Sequence, residues 1–185
     1  YDSLQSTLER RFSQGLQLGA NYTWSKAIGW TQDSGGPSVA ALPYFSLNRR
    51  VLGVDRTHNF SITGTWELPF GPGKRWASLN RAAAALLGGW RITNLASFMS
   101  GTPFSVSASG TSLDMPGSNQ RADQVKPEAN ILGGVGSGRS LFDPLAFAPV
   151  RDARFGTAGF NSLRGPGVVN WDFGLFRRFS LSERC

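Results

Sequence analysis

The sequence is short of the residues that most chemistry needs. It has one cysteine among 185 residues, Cys185 at the last position, which excludes a disulfide scaffold and any Cys-based metal site. It has one histidine, His58, so a His-dependent catalytic triad or His-rich metal centre has no material. Charged residues make up only 17%, and with 12% aromatics that excludes a disordered tail. Long apolar runs are missing too. The longest charge-free stretch, Ile92 to Leu113, is full of Ser, Thr and Gly and contains Pro103, whereas a spanning helix needs about 20 predominantly apolar residues. The 23 Gly and 10 Pro show no triplet period, so collagen is excluded. The net charge of +7 is spread in ones and twos with no basic run, so nucleic acid is not an expected partner. The chain starts at Tyr1 without a charged segment leading into an apolar one, so no signal peptide is read. Neither end reads as a natural terminus, and a piece of a longer protein is expected.

What is present is alternation of period two. In one run, Leu16, Leu18, Ala20, Tyr22 and Trp24 alternate with Gln17, Gly19, Asn21 and Thr23. In another, His58, Phe60, Ile62, Gly64 and Trp66 alternate with Asn59, Ser61, Thr63 and Thr65. A third carries Val169, Trp171, Phe173, Leu175 and Phe179 on its apolar side. Two weaker runs carry Leu4, Leu8 and Phe12, and Trp90, Ile92, Ala96 and Phe98. Five strands are expected, near 2–12, 16–28, 56–68, 90–106 and 168–181. Ser13-Gln14-Gly15 is a tight turn, and Leu79 to Leu87 could form a short helix. Residues 29–55 and 107–167 read as two long loops, with Gly133 to Gly138 as a flexible stretch.

Strand length argues for a membrane. Soluble strands average about 5–6 residues. Runs of about 11–13 residues at about 3.3 Å each, tilted by about 40°, project to roughly 30 Å, close to the apolar band of an outer-membrane barrel. With the short turn periplasmic and the long loops extracellular, Phe12, Trp66, Trp90 and Phe179 fall at the periplasmic level. Trp24, Phe60, Phe98 and Trp171 fall toward the outer level. These are two aromatic girdles. Arg10, Lys26, Arg56 and Arg177 lie near strand ends, where long side chains reach head groups. Asn94 is the one strongly polar residue near the middle of the apolar face. The expected fold is all-β: an antiparallel, up-and-down transmembrane β-barrel segment, incomplete because the smallest barrels have about 8 strands. The small polar face suits a wide, wet or plugged lumen. Residues 1–185 form one partial barrel domain.

The sequence resembles the C-terminal barrel part of TonB-dependent outer-membrane receptors, most closely the Oar-like group. The stretches that carry the resemblance are Tyr1-Asp2-Ser3-Leu4-Gln5, Gly19-Ala20-Asn21-Tyr22-Thr23-Trp24-Ser25-Lys26 and Asp55-Arg56-Thr57-His58-Asn59-Phe60. Leu68-Pro69-Phe70-Gly71-Pro72-Gly73-Lys74, Gly89-Trp90, Ser100-Gly101-Thr102-Pro103-Phe104 and Leu163-Arg164-Gly165-Pro166-Gly167 continue it. The resemblance implies a barrel of about 22 strands around a plug, located in the outer membrane of a Gram-negative bacterium. It also implies transport energised by TonB, with outer-membrane lipid, the TonB complex, the plug domain and a ligand as partners. A plug domain and TonB-contacting segment are not found within these residues. The rival readings are a passive porin-like barrel or adhesin, and a secreted soluble β-sandwich that binds carbohydrate.

No catalytic, cofactor-binding or metal-binding residue is expected, and no enzymatic activity. His58 reads as an interfacial residue. Phe70-Gly71-Pro72-Gly73-Lys74-Arg75 lacks the spacing of a phosphate loop. The sequons at Asn21 and Asn59 lie within strands. Glu9, Arg11, Glu67, Arg91 and Asp172 are expected on the lumen face as solvated wall residues. Ligand capture is expected on the loops, where Tyr44, Phe45, Phe142, Phe147 and Phe160 offer aromatic surface for a sugar, peptide or chelate. The barrel and sandwich readings separate on one measurement. Residues 1–185 expressed without detergent are expected as inclusion bodies, because an apolar face and two strand edges would be uncovered. A soluble, sharply melting monomer would favour the sandwich.

Overall fold

A computed structural model describes residues 1–30, 38–70, 74, 76, 86–134 and 136–179. The chain forms two compact units. A sheet unit comprises Leu4–Trp24, His58–Met99 and Val168–Cys185, and a loop unit comprises Tyr1–Ser3, Ser25–Thr57 and Ser100–Gly167.

The long strands are β1 (Asp2–Ser13), β2 (Leu16–Lys26), β3 (His58–Glu67), β4 (Trp90–Met99) and β5 (Val168–Arg177). They lie side by side in chain order, the up-and-down arrangement expected from the sequence. The turn between β1 and β2 has Gln14 at φ 53° and Gly15 at φ 82°, the type I′ geometry that matches strand twist. The Gly15 carbonyl then accepts from the Glu67 N–H at 2.7 Å, and a Cβ at Gly15 would come within 2.9 Å of the Glu67 oxygen.

Register places the apolar sets of β2 through β5 on the same face. Tyr22 pairs with Phe60, which pairs with Phe98, which pairs with Val169. Ala20, Ile62, Ala96 and Trp171 form the next rung of that face, and Leu16, Trp66, Ile92 and Leu175 a lower one. A one-residue slip in any pair would turn one strand's apolar set toward the polar side. The girdles follow. Phe60 and Phe98 pack across the outer rung as a tilted pair with ring centroids 6.0 Å apart, and Trp24 and Trp171 each lie one rung away on this face. At the other end Arg177 lies over the rings of Trp90 (5.3 Å) and Phe179 (4.6 Å), a cation–π cluster. Trp24 pairs with His58, while Leu68 donates to the Trp90 carbonyl. Along β3 those levels are therefore ten residues apart, about 33 Å, or about 25 Å after a tilt of about 40°.

The apolar face is uncovered, unlike the core-facing side of a water-soluble sheet. On the apolar face Val169 is 69% exposed, Trp171 68% and Phe179 68%. The buried apolar side chain among the described residues of this unit is Ala96. Asn94 stands between Gly64 and Phe173 on this face. A Cβ at Gly64 would lie 3.2 Å from the Asn94 Nδ2, so the missing side chain makes room for the amide.

Several expected boundaries are corrected. The strand near 16–28 stops at Lys26, because the Ala27 N–H donates to the Asp55 Oδ1 at 2.7 Å and leaves the ladder. Ile28–Gly29 then pairs with Arg50–Val51. The strand near 56–68 begins at His58; Arg56, just before it, has its Nη1 donating to the Ser100 carbonyl at 2.8 Å. The strand near 90–106 stops at Met99, and Pro103–Phe104 pairs with Leu163–Arg164. The last strand ends at Arg177, with 180–181 outside the described residues. Of the expected helix at 79–87, residues 79–85 also lie outside them, and Leu86–Leu87 are helical.

The two loops are not structureless. The loop unit has its own core, with Val39, Ala122, Ala146, Ala158 and Phe160 buried. Asp123–Gln124 pairs with Phe147–Ala148, and short 3₁₀ helices cover Leu42–Asn48 and Pro144–Ala146. Of the glycine stretch at 133–138, residue 135 lies outside the described residues; the N–H groups of Leu132 and Gly133 both donate to the Leu141 carbonyl.

The register yields a test in the intact parent barrel. Ile62→Arg, in the middle of the apolar face, is expected to destabilise by about 2–4 kcal/mol in a bilayer. Ser61→Arg, one residue away on the polar face, is expected to cost little. Equilibrium unfolding in lipid reads the difference, and equal costs would contradict the assignment of faces.

Candidate functional site

The sheet unit offers a polar concave surface. Gly19, Thr63, Leu95 and Asp172 form one rung of the polar face, and Thr65, Thr93 and Gly174 belong to the next. With small side chains on most rungs, this face leaves a concavity of about 640 Å³, lined among others by Glu9, Arg11, Asn21, Thr93 and Asp172. The expected lumen charges divide. Glu67 and Arg91 stand opposite each other and pair at 3.0 Å, and Lys74 reaches the same carboxylate at 2.7 Å. Asp172 accepts from the Asn170 amide at 2.9 Å. Glu9 and Arg11 line the concavity. His58 accepts from or donates to the Tyr22 hydroxyl through its Nδ1 at 2.8 Å, and the two rings stack.

The loop unit is held by buried polar ties. The Asn48 amide bonds both to the N–H and to the carbonyl of Val39, at 2.8 and 2.9 Å, in the manner of a strand partner. Asp55 has a fully buried carboxylate that accepts from Ala27 N–H, the Thr57 hydroxyl and, at 2.5 Å, the Arg164 Nη2. Burial alone would raise this carboxyl; the hydrogen bonds from Arg164 and Ala27 outweigh it and hold it below the usual range. Arg164 also donates to the Gly101 carbonyl at 3.1 Å. A Cβ at Gly101 would sit 1.8 Å from the Gly165 oxygen, so only glycine permits this backbone approach. Asn161, at φ 53°, donates to the Val51 carbonyl at 2.7 Å and accepts from Ser105.

A second cluster builds a small cavity. The Gln120 side chain donates to the Arg154 carbonyl at 2.7 Å and accepts from the N–H groups of Arg121 and Gly156. Asp123 takes both terminal nitrogens of Arg154, at 2.8 and 2.7 Å, as well as the Thr157 N–H. The Arg154 hydrogen bond holds the Asp123 carboxyl below its ordinary value and raises Arg154 in turn. Between these segments lies a cavity of about 280 Å³ lined by Tyr44, Leu47, Met115, Arg121, Arg154 and Phe155. Tyr44 and Phe155 form its aromatic wall, with centroids 5.2 Å apart.

The expected loop aromatics take different places. Tyr44 lines the cavity, Phe45 stacks on Trp30 at 6.1 Å, and Phe142 packs against Phe104 at 6.0 Å. Phe147 lies half-buried in its short strand. Phe160 is not ligand surface: it is buried, with the guanidinium groups of Arg50 and Arg121 at 4.9 and 5.4 Å from its ring. Sequence reasoning passed over Arg121, Met115 and Phe155, which no local pattern distinguishes. Among the described residues no group of three His, Cys, Asp or Glu side chains is placed to hold a metal.

A family profile described as an outer membrane beta barrel domain matches residues 1–185. The chain belongs to this outer-membrane β-barrel family. Membership places it in the outer membrane of a Gram-negative bacterium and sets aside the soluble sandwich. No curated protein and no solved structure matches the chain. Within this family, apolar exposure on one face of the sheet is lipid contact.

The Asp55 tie gives a pH prediction. Its carboxyl is depressed in the folded protein, so its contribution is present above the unfolded value of about 3.9 and lost as pH falls through the folded one. Protection of the loop unit from protease is expected to hold from pH 7 to about 5 and to weaken below about 4. Asp55→Asn is expected to cost about 1.5–3 kcal/mol at neutral pH and to flatten that acid dependence. An unchanged acid profile in the variant would remove Asp55 as the tie.

Proposed function

We propose that the chain is the barrel part of a TonB-dependent outer-membrane receptor of the Oar-like kind, non-enzymatic, which binds a ligand at its extracellular loops and passes it through a plugged barrel. The observation that carries the transport reading is the lumen face. Rungs of Gly, Thr, Ser and Asn leave an open polar concavity where a small solid barrel would place large interlocking side chains. The folded loop unit, with a cavity of its own, supports capture on the loops. TonB coupling rests on the resemblance of the stretches around Asp55, Gly101 and Arg164 to the receptor family. On this reading the plug domain, the TonB complex and outer-membrane lipid are its partners.

The porin-like alternative predicts a different electrical behaviour. The whole parent protein, reconstituted in a planar bilayer, is expected to conduct little until its plug is unfolded, and to cross-link to the C-terminal domain of TonB. Steady open conductance without a cross-link would favour the passive channel.

A further inference from the structure

The Arg121 side chain is out of balance with its surroundings. It is 9% exposed, and its Nε is buried without a hydrogen-bond partner. No carboxylate among the described residues pairs with it; the nearby acid, Asp123, is engaged by Arg154 and Thr157. Its guanidinium contact is the face of Phe160, whose ring already has Arg50 at 4.9 Å. A desolvated cation without a counter-charge is costly, and burial lowers its proton affinity accordingly. Proteins retain such a group where something outside the chain completes it. Arg121 also lines the cavity whose other walls are Tyr44, Leu47, Met115, Ala153 and Phe155, with the carboxylate-paired Arg154 beside them.

We propose that this loop-unit cavity binds a small organic carboxylate with an apolar or aromatic body, the carboxylate on Arg121 and the body against Tyr44, Phe155 and Met115. Guanidinium is the matched donor for a carboxylate. The volume of about 280 Å³ admits a ligand of amino-acid to phenylpropionate size. The wall of two aromatic rings, a thioether and Leu47 rejects a fully polar anion, and the uncompensated cation rejects a neutral analogue. The backbone walls are fixed: the N–H of Gly156 is held by Gln120, and a Cβ at Gly156 would lie 2.1 Å from the Arg121 carbonyl oxygen. The proposal rests on the reading that the loops capture ligand, and it is independent of energy coupling.

The test uses the whole parent protein in lipid nanodiscs, with 3-phenylpropionate titrated by calorimetry and ligand-observed NMR. Binding is expected, with 3-phenylpropionamide and inorganic phosphate each at least tenfold weaker. Arg121→Gln is expected to lose at least tenfold in affinity, while Arg121→Lys recovers part of it. Met115→Glu, which supplies a carboxylate from the chain itself, is expected to abolish binding while leaving the loop unit resistant to protease. Absence of binding by the wild-type protein, equal binding of the amide or phosphate, or full affinity in Arg121→Gln would each overturn the proposal. Bilayer conductance and TonB cross-linking read the transport mechanism separately, so failure of one leaves the other standing.

Discussion

In hydrocarbon no water is available to a backbone N–H or C=O, so every strand must find its hydrogen bonds on the strands beside it. That constraint organises the sheet unit. It fixes long strands in consecutive pairing, since each chain segment can satisfy its backbone most directly on the one before it. It also makes register decisive. With ladders of nine and ten pairs joining β2 through β5, the apolar sets of these strands coincide on one face. β1 and β5 pair on one side only among the described residues. In the bilayer their open sides need partners as well, which is why a barrel of this family closes.

The same chain builds the loop unit by a different rule. Water solvates it, so its core is made in the ordinary way, but around Phe160 mostly from small side chains and buried polar ties. Val39, Ala122, Ala146 and Ala158 contribute little area each. Asn48, Asp55, Gln120 and Asn161 do the joining, each satisfying backbone groups that would otherwise be stranded. Compactness comes from backbone approach, as at Gly101 against Gly165. Polar ties are directional, so they hold one loop conformation where an apolar core of this size would tolerate several. A loop held in this way can present a preformed cavity.

Much of the sheet is legible in the sequence. Spacing alone puts Phe60 and Phe98 in one girdle, and their rings are in contact. Arg177 was placed near a strand end for its reach, and it lies between Trp90 and Phe179. Strand ends were read less well. Residues 27–28 and 100–106 continue the alternation but leave the ladder, because Asp55 captures the Ala27 N–H and the 101–104 segment turns to pair with 163–164. The internal order of the loops is not legible in the sequence, because Gly, Ser and Pro carry no periodic signal. Their order resides in single side chains such as Asn48 and Asp55, which look like any polar residue in the sequence. The stretches that carry the family resemblance contain several of these ties: Asp55, Gly101 and Arg164 meet in one cluster.

The sequence by itself determined the solvent of each strand face. Alternation is a local, steric property of an extended chain, in which successive side chains point to opposite sides. Strand length and the placement of aromatic rings are equally local, so they identified a membrane barrel without knowledge of pairing. Only the tertiary structure decided which distant residues meet. Asp55 and Arg164 are 109 positions apart, and no periodicity relates them. Arg121 is one cation among nineteen in the sequence. It becomes distinctive only when residues 44, 115, 155 and 160 fold around it and none brings a carboxylate. Burial and the absence of a counter-charge belong to the folded loops, because desolvation depends on everything that surrounds a group and not on its neighbours in sequence.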